Sequence, residues 1–546
     1  MTAMVLMLAC NTVRPQCKWP FHGHWLSAAH SLNMNTFLKS ALSVALAVLA
    51  SYSTAAPAHS SAAARWLEAH RDRPPMLRQF VQRMPKGADL HSHLSGAVYA
   101  ETYLRLAAEG GLCVNAQTVQ FAPPDAAGAC QAPNMPAGKI SSALYSAMVN
   151  KLSTRNVALS GKNGHDQFFS TFSGFRLPAN LPNATVAMAA EVSNRAASQH
   201  IQHLELMATF QGEAVRALAD KLPWSAQPDF ANAQAWLQAN GLDAVVEAAR
   251  RDLDQFDQGY RAAQACGGAQ AQGGCQVSLR WLQQTTRTAA PNQVFAQLAF
   301  AFALASADAR VVGLNLVAPE DDPVALRDYQ LHMRMIGWLS KQWPTVNVAL
   351  HAGELTQGLT PPETLRHHIR DAVEIAGAKR IGHGVAIGYE DHAAQTLAIM
   401  RARRVAVEVC LTSNDVILGV SGKHHPLPTY LAAGVPVTLA SDDEGVSRID
   451  LSHEYLRAAQ TYQLNYAQLK QLSRNSLEYS FLPGESLWRN LARSQVIAVC
   501  SQDAPGAKAL SPRCAHALGS SEKAQRQWQL EAAFREFERD PLWRMR

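Results

Sequence analysis

The stretch GADLHSHLSGA, residues 87–97, places His91 and His93 one residue apart, directly after a short apolar run. In a β-strand, residues i and i+2 face the same side, so both imidazoles would point in one direction. Two neutral imidazoles on one face can chelate a metal ion. The alternative is a pair of surface histidines in a turn, and the rest of the chain has to decide between the two.

Further short apolar runs follow this stretch, and longer amphipathic segments alternate with them. Strands that alternate with helices form parallel sheets, so the pattern predicts an α/β fold. The predicted strands span 88–91, 202–207, 277–281, 311–316, 347–351, 380–383, 405–410 and 435–440. Eight such units favour a closed (β/α)8 TIM barrel. An open doubly wound sheet is the alternative, but no glycine-rich phosphate loop follows the first strand.

Two connections are too long for simple strand-to-helix links. Residues 98–200 separate the first two strands and contain the Pro/Ala/Gly-rich piece FAPPDAAGACQAPNMPAGK, and residues 208–276 separate strands two and three. We therefore expect inserted loops and helices after strands one and two. The tail, residues 521–546, is predicted to form one amphipathic helix on the outside of the barrel.

The composition is that of a globular protein. The chain has 546 residues, of which 48% are hydrophobic and 17% charged, with a formal net charge of +6. No dense Lys/Arg run is present, so the sequence argues against a nucleic-acid partner.

Residues 34–58, MNTFLKSALSVALAVLASYSTAAPA, have the layout of a secretory signal peptide. The apolar run is too short to span a membrane, and the alternatives are a short buried helix or an uncleaved anchor. We expect translation to start at Met34, which makes residues 1–33 an extraneous extension. Residues 59–546 would then form one domain, secreted or periplasmic, with no membrane span after signal cleavage.

The nine cysteines fit an oxidising compartment. Cys10 and Cys17 would be lost with the N-terminal extension, and Cys410, inside the apolar run VAVEVCL, is predicted to be a buried free thiol. A zinc ribbon is the alternative for the others, but their spacing is too wide for one. Proximity in sequence predicts three disulfides: Cys113–Cys130, Cys266–Cys275 and Cys500–Cys514.

Polar residues follow the C-terminal ends of the predicted strands, where barrel active sites lie. They are His91 and His93 after strand one, His351 and Glu354 in HAGE after strand five, His383 in IGHG after strand six, Thr412, Ser413 and Asn414 after strand seven, and Asp442 and Asp443 after strand eight. A single histidine at a strand end more often has a structural role, but structural roles alone do not easily explain this many polar residues at the strand ends of one barrel. Three histidines and one aspartate predict one Zn²⁺ per chain, with Glu354 and His383 free for proton transfer.

The motifs MPKGADLHSHLSGA, LHAGE, RIGHGVAI, VEVCLTSN and HHPLPTYLAAGVPVTLASDDEGV resemble the successive motifs of the adenosine deaminase family. They span residues 84–446 in the family's order. The signal peptide, the insertion after strand one and the expected disulfides resemble its secreted, growth-factor-related branch. That family includes monomers and dimers, so a homodimer is one of the states open to this chain.

The resemblance implies a role for each site residue. His91, His93, His351 and Asp442 match the zinc ligands. Glu354 matches the residue that protonates the purine N1, and His383 the one that orients the attacking water and takes its proton. Asp443 matches the residue that steers the water or accepts a hydrogen bond at the purine N7 edge. The expected reaction converts a small purine nucleoside, adenosine or 2′-deoxyadenosine, to its inosine form and ammonia.

Three positions depart from the family pattern. Ser95 stands where an aspartate usually contacts the ribose. Ala318 stands where a glycine usually offers its N–H to the purine N3, and Asn315 replaces an aspartate in the same strand. Strand four carries no lysine to bridge a second metal, which favours a mononuclear site. The departures leave open a deaminase of adenine or another amino-purine, and, from a different class, an inactive binding or signalling protein on the same barrel.

Overall fold

A barrel of eight parallel strands forms the centre of the computed structural model, which describes residues 61–545. The strands are β1 Gly87–His93, β2 Ile201–Ala208, β3 Ser278–Thr286, β4 Val311–Val317, β5 Asn347–Ala352, β6 Arg380–His383, β7 Ala406–Val409 and β8 Val437–Leu439. Their order in the sheet follows the chain. A parallel bridge between Ser92 and Asp442 joins the last strand to the first, so the predicted (β/α)8 barrel is confirmed and the open doubly wound sheet is wrong.

The third strand is longer than predicted. It continues to Thr286, past the predicted end at residue 281, and carries Gln284 to the top of the barrel. Its final residues, QQTT, are polar, and a hydrophobic pattern therefore does not reveal them. These polar side chains belong to the functional end of the barrel rather than to its apolar core.

Helices follow the strands and wrap the barrel. They are Pro291–Ala307, Pro323–Gln342, His368–Glu374, Ala393–Arg403, Leu411–Leu418, Leu427–Ala433, Glu444–Ser447, Leu451–Thr461 and Tyr466–Glu478. Two begin with proline at the first helical position, where no backbone N–H is needed. The Asp322 side chain caps the second of these by accepting from the N–H of Val324 at 2.8 Å.

The insertion after β1 contains more structure than a loop. Three short antiparallel strands span Cys113–Asn115, Gln120–Ala122 and Asn134–Pro136. The Pro/Ala/Gly-rich piece contributes two of them, and they are too short for a two-residue alternation to be recognised. Two helices precede these strands, Leu94–Ala97 and Ala100–Glu109. The main helices after them are Ser142–Lys151, Val157–Ser160, Gly164–Gly174, Arg176–Ala179 and Ala184–Ser198. The insertion after β2 is helical, as expected, with Gly212–Ala219, Phe230–Ala239 and Leu242–Ala263.

The terminal helices pack together through aromatic side chains. Ala62–His70 and Pro74–Arg83 precede β1, and the tail helix spans Glu522–Arg539. The rings of Trp66, Phe80, Phe537 and Trp543 pack together with centroids 4.9–5.6 Å apart; Trp66 and Phe80 are stacked, and the other pairs are tilted or edge-to-face. The prediction of one continuous tail helix is wrong beyond Arg539: the Asp540 side chain caps a short 3-10 turn, Pro541–Arg544, where proline prevents the helix from continuing.

A small C-terminal unit carries its own apolar cluster. A two-stranded hairpin, Trp488–Asn490 with Gln495–Val496, and the helix Pro512–Gly519 enclose buried Leu487 and Leu518. The Cys500–Cys514 bond lies inside this cluster.

All three predicted disulfides are present, with Cα–Cα distances of 5.7, 5.5 and 4.7 Å, and Cys410 is a buried free thiol. In the part of the chain that the structure describes, no helix has the length and apolarity to cross a membrane. The predicted extension 1–33, the signal peptide 34–58, and Cys10 and Cys17 lie outside the described residues and stay predictions. The described residues, 61–545, form one compact unit.

We expect the disulfides to stabilise the fold without contributing to the functional site. Closing a loop of the length between Cys500 and Cys514 stabilises a protein by about 3 kcal/mol. The double variant Cys500→Ala/Cys514→Ala should therefore melt at a lower temperature than the parent, and Cys410→Ala serves as a thiol control. Thermal unfolding with and without reductant checks this expectation. A parent whose melting temperature does not change when reductant is added would contradict it.

Candidate metal and catalytic site

Four side chains from β1, β5 and the end of β8 converge on one point at the C-terminal end of the barrel. His351 Nε2 lies 3.1 Å from His91 Nε2 and 3.2 Å from His93 Nε2. Asp442 Oδ1 lies 3.4 Å from the Nε2 atoms of both His91 and His93. The ligands of a tetrahedral zinc ion stand about 3.3–3.4 Å apart, because each lies about 2.0–2.1 Å from the metal. The four ligating atoms therefore fit one such ion.

Each of these four side chains also contacts a polar neighbour, through the atom that faces away from the other three. Carboxylate and amide partners of this kind fix the ring orientation of metal-binding histidines. The four contacts are His91 Nδ1–Glu408 Oε2 at 2.7 Å, His93 Nδ1–Gln284 Nε2 at 2.8 Å, His351 Nδ1–Asn315 Oδ1 at 2.8 Å, and Ser413 Oγ–Asp442 Oδ2 at 2.6 Å. Since the Nδ1 atoms are occupied, the three Nε2 atoms are left to face one another.

The backbone of the same residues closes the barrel. The N–H of His93 donates to the carbonyl of Asp442 at 3.1 Å, and the N–H of Asp442 donates to the carbonyl of His91 at 2.9 Å. Asp442 has φ of 61°, in the left-handed region, which an aspartate adopts at an energetic cost. The hydrogen bonds that close the barrel between its first and last strands therefore also bring together the candidate ligands of those two strands.

Three further polar side chains surround the candidate metal site. Glu354 Oε1 lies 3.5 Å from His383 Nε2, and Asp443 lies beside Asp442 in the same cavity wall. Glu354 Oε1, His383 Nε2 and Asp443 Oδ1 are buried and have no hydrogen-bond partner in the described structure. Buried polar atoms without partners are costly, so they point to a ligand that would satisfy them.

Burial shifts the pKa values of two of these groups in opposite directions. It raises the pKa of Glu354 well above its usual value, and the negative charges of Asp442 and Glu320 add to the effect. Burial lowers the pKa of His383 to about 3, against the opposing charge of Asp442. The two shifts favour a protonated carboxyl on Glu354 beside a neutral imidazole on His383, which is a pair suited to proton transfer.

Two glycines in the motifs make room for these side chains. A Cβ on Gly96 would lie 1.5 Å from Asp443 Oδ1, and a Cβ on Gly382 would lie 2.5 Å from His91 Cε1. The glycine of HSHLSG and the first glycine of RIGHG are therefore required by the close approach of site side chains, not by turn geometry.

A cavity of about 350 Å³ opens above the candidate metal site. It is lined by His93, Ser95, Phe168, Phe169, Phe172, Gln284, Thr286, Val317, Ala318, Pro319, His351, Glu354, Asp442 and Asp443. The three phenylalanines come from the inserted helix Gly164–Gly174 and form an apolar wall. This lining includes neither lysine nor arginine. The volume and the mixed lining are typical of a site for a small organic ligand.

The structure brings together all nine predicted site residues. Seven line the cavity, and the other two, His91 and His383, lie buried beside it with side chains that are fully inaccessible. Among the residues after β7, Ser413 contacts Asp442, and the amide of Asn414 lies 3.0 Å from His383 Nδ1. Thr412 instead hydrogen-bonds to Glu454.

Sequence reasoning missed several residues of the site. Gln284 was missed because β3 was predicted too short. Glu408 is a lone acid in the apolar run VAVEVCL, and a charge in a buried strand is a signal for a paired internal role. Phe168 and Phe172 stand four residues apart on one helix face, a spacing that usually indicates only core packing.

Cys410 lies near the same point. It forms, with His91, His383 and Asp442, a second group of four buried residues whose ligand atoms lie within 4.8 Å of one another. This group shares two residues with the first, so both describe one location in the barrel.

Comparisons with known proteins agree with the motifs. The family model described as Adenosine deaminase matches residues 136–497, more than half of the chain. The adenosine deaminase of Shewanella loihica is 41% identical over 112 residues, which cover 20% of this chain and 33% of that protein. The adenosine deaminase of Escherichia coli strain SE11 is 36% identical over 140 residues, which cover 26% of this chain and 39% of that protein. The chain therefore spans between a third and two fifths of the length of these curated relatives.

Solved structures of similar proteins are more distant. The N6-mAMP deaminase MAPDA of Arabidopsis is 20% identical with a TM-score of 0.48, over 74% of this chain and 96% of that one. The adenine deaminase of Arthrobacter aurescens is 18% identical with a TM-score of 0.47, and the match covers 73% of this chain and 94% of that one.

We expect Glu408→Gln to weaken metal binding and also to lower the melting temperature, because Glu408 pairs with buried Arg380 as well as with His91. The amide oxygen can still accept from His91 Nδ1, but it no longer carries the charge that favours this ring orientation. Loss of such a partner typically lowers metal affinity by about 10–100-fold. Competition with a chromophoric chelator measures the affinity, and an unchanged value would show that Glu408 does not support His91.

Proposed function

The chain belongs to the adenosine deaminase family, and from that premise we propose that it is a metal-dependent deaminase of adenosine or 2′-deoxyadenosine. Water replaces the 6-amino group of the purine, giving the inosine form and ammonia. One observation carries the proposal: three imidazole nitrogens and one carboxylate oxygen converge beneath a cavity whose wall contains Glu354 and Asp443.

His91, His93, His351 and Asp442 are the residues that would hold the metal. Imidazole nitrogens with a carboxylate oxygen form a donor set that suits zinc, and we propose one Zn²⁺ per chain. A zinc ion bound there would act as a Lewis acid that lowers the pKa of water near the substrate.

Proton transfers fall to the chain's own side chains. Glu354, whose pKa burial raises, donates a proton to the purine N1 and makes C6 electrophilic. His383, kept neutral, accepts the proton of the attacking water at Nε2 while the amide of Asn414 orients the ring through Nδ1. Asp443 steers the water or accepts a hydrogen bond at the N7 edge. A new C6–O bond forms and the C6–N6 bond breaks. The proton taken up by His383 leaves with the amino group as ammonia, the proton from Glu354 stays on N1 of the product, and the remaining proton of the water restores Glu354.

The cavity favours an uncharged substrate. A 5′-phosphate normally requires arginine or lysine side chains, and the cavity lining contains neither. Its phenylalanine wall, from Phe168, Phe169 and Phe172, would instead contact a flat or apolar group. This lining supports a nucleoside or a free base over a nucleotide.

Ser95 and Ala318 support a second candidate substrate. Both line the cavity, Ser95 where the family pattern has a ribose-contacting aspartate. A shorter side chain there weakens the case for ribose, so adenine or a modified amino-purine is the alternative. An inactive binding scaffold is less well supported, because it would retain Glu354, His383 and Asp443 buried without partners and without use.

We also propose that the protein is exported, to the periplasm or the medium, by the signal peptide at residues 34–58. The three local disulfides support an oxidising destination.

Glu354→Gln tests the proposed reaction. The variant should keep the fold and the bound zinc but lose turnover, because an amide cannot donate the N1 proton as a carboxylic acid does. Zinc-loaded protein lacking residues 1–56 is assayed for ammonia release from adenosine, 2′-deoxyadenosine, adenine and AMP, with zinc content measured in parallel.

Turnover of adenosine by the parent and none by Glu354→Gln is the expected result. Equal activity in the two proteins would remove Glu354 from the mechanism. Turnover of adenine alone would favour the second candidate, and zinc binding without turnover of any of the four would support the inactive scaffold.

Ala318→Gly should improve the fit of a purine without destabilising the protein. Ala318 has φ of 83°, in the left-handed region that glycine adopts freely. Relief of about 1 kcal/mol of backbone strain offsets the similar entropic penalty of glycine. The removed methyl group widens the cavity, so KM for the preferred substrate should fall while the melting temperature stays near that of the parent. A higher KM would show that the methyl group contacts the substrate favourably.

A further inference from the structure

Glu320, just after β4, is a buried carboxylate that contacts the HAGE loop from behind. Its side chain is fully inaccessible, and it is absent from the lining of the cavity. Oε1 accepts the N–H of Gly353 at 3.0 Å, and Oε2 accepts the N–H of Glu354 at 2.9 Å. One carboxylate therefore binds the two consecutive backbone N–H groups that end at the candidate proton donor.

The conformation of the loop explains why an anion lies there. Gly353 has φ of 74°, which turns the chain so that successive N–H groups converge. Such a concavity of backbone N–H groups binds anions. A Cβ on Gly353 would lie 2.7 Å from the Ile369 side chain, so the turn is also held in place by close packing. Glu320 supplies the anion from within the chain.

A second contact connects Glu320 to the helix His368–Glu374. Oε1 also accepts from His368 Nδ1 at 2.6 Å. The His368 ring stacks on Tyr329 with centroids 3.6 Å apart, and the Tyr329 hydroxyl donates to the His368 carbonyl at 2.6 Å. The carboxylate is therefore fixed by a rigid aromatic pair as well as by the loop.

Arg287, at the end of β3, balances the charge of Glu320. Its guanidinium is buried, with Nη1 3.8 Å from Glu320 Oε2. Nη1 also donates to the carbonyl of His351 at 3.5 Å, and Nη2 to the carbonyl of Leu316 at 3.2 Å. Arg287 and Glu320 thus hold the loop at both ends, one at the His351 carbonyl and the other at the Glu354 N–H.

We propose that Glu320 is a positioning residue, whose carboxylate sets the orientation of Glu354 relative to His351 through the backbone between them. The proposal rests on the proposed function, because its kinetic effect requires Glu354 to act on a substrate. Both carboxylate oxygens are needed: a glutamine would retain one acceptor and turn its amide N–H groups toward a backbone N–H or toward the His368 ring nitrogen.

The test compares Glu320→Gln, Glu320→Asp and the control Glu531→Gln. Glu531 is also buried and accepts two hydrogen bonds from Arg474, at 2.7 and 2.8 Å, but neither residue lines the cavity. Zinc-loaded proteins are assayed for kcat and KM well below their melting temperatures, and zinc content is measured. Hydrogen exchange of the Gly353 and Glu354 amides is followed in the same proteins.

We expect kcat to fall about 100-fold in Glu320→Gln, because misplacing a reacting group by about 1 Å has an effect of that size. KM and zinc content should stay within about threefold, since Glu320 does not line the cavity. Glu320→Asp, which keeps both oxygens, should recover part of kcat, and Glu531→Gln should keep all of it. The Gly353 and Glu354 amides should exchange slowly in the parent and in Glu531→Gln but rapidly in Glu320→Gln.

Two results would overturn the proposal. The first is a folded Glu320→Gln with kcat near that of the parent, and the second is an equal loss of kcat in Glu531→Gln. A parent that turns over no amino-purine would contradict the proposed function instead, and the amide exchange would still decide whether Glu320 holds the loop. If Glu320→Gln does not fold, slow exchange of the two amides in the parent, with partly faster exchange and a partly lowered kcat in Glu320→Asp, supports the proposal. Rapid exchange in the parent, or no change of either quantity in Glu320→Asp, overturns it.

Discussion

The barrel closes through two backbone hydrogen bonds, His93 N–H to Asp442 and Asp442 N–H to His91, and the site depends on them. Residues 91 and 442 are far apart along the chain, and only the closed sheet brings them together. The histidines of β1 and the aspartate after β8 become neighbours because their main chains pair. A slip of one residue in this pairing would turn the imidazoles to the other face of the strand and abolish the site.

Inside the barrel, a chain of paired charges supports the same residues from below. Arg380 is fully buried between Glu205, at 2.7 Å, and Glu408, and Glu408 in turn contacts His91 Nδ1. A buried charge is tolerated when its partners satisfy it and is strongly destabilising when one partner is removed. The barrel interior is therefore both a core and the support for His91, and Glu320 with Arg287 plays the corresponding part for the HAGE loop.

Much of this could be predicted because the informative residues are local in sequence. Each strand is a short apolar run, and the four candidate ligands, Glu354, His383 and Asp443 lie at or just after the end of one, so they could be read in order. Ser95 and Ala318 were singled out only through the resemblance to the family. The disulfide pairs were predictable because each closes a short loop. The miniature sheet at Cys113–Asn115 and the polar end of β3 could not be predicted, since neither has enough apolar alternation to separate a strand from a loop.

By itself, the sequence determined the barrel, the residue types of the candidate metal site and the resemblance to a family, because these depend on patterns within single segments. Tertiary structure alone decided which atoms face the metal position. The Nδ1 atoms of His91, His93 and His351 are occupied by Glu408, Gln284 and Asn315, which come from three other strands. It also placed the phenylalanines of a distant insertion over the cavity and the carboxylate of Glu320 under the loop. These contacts join residues remote in the chain, and they exist only once the closed sheet fixes the positions of all eight strand ends.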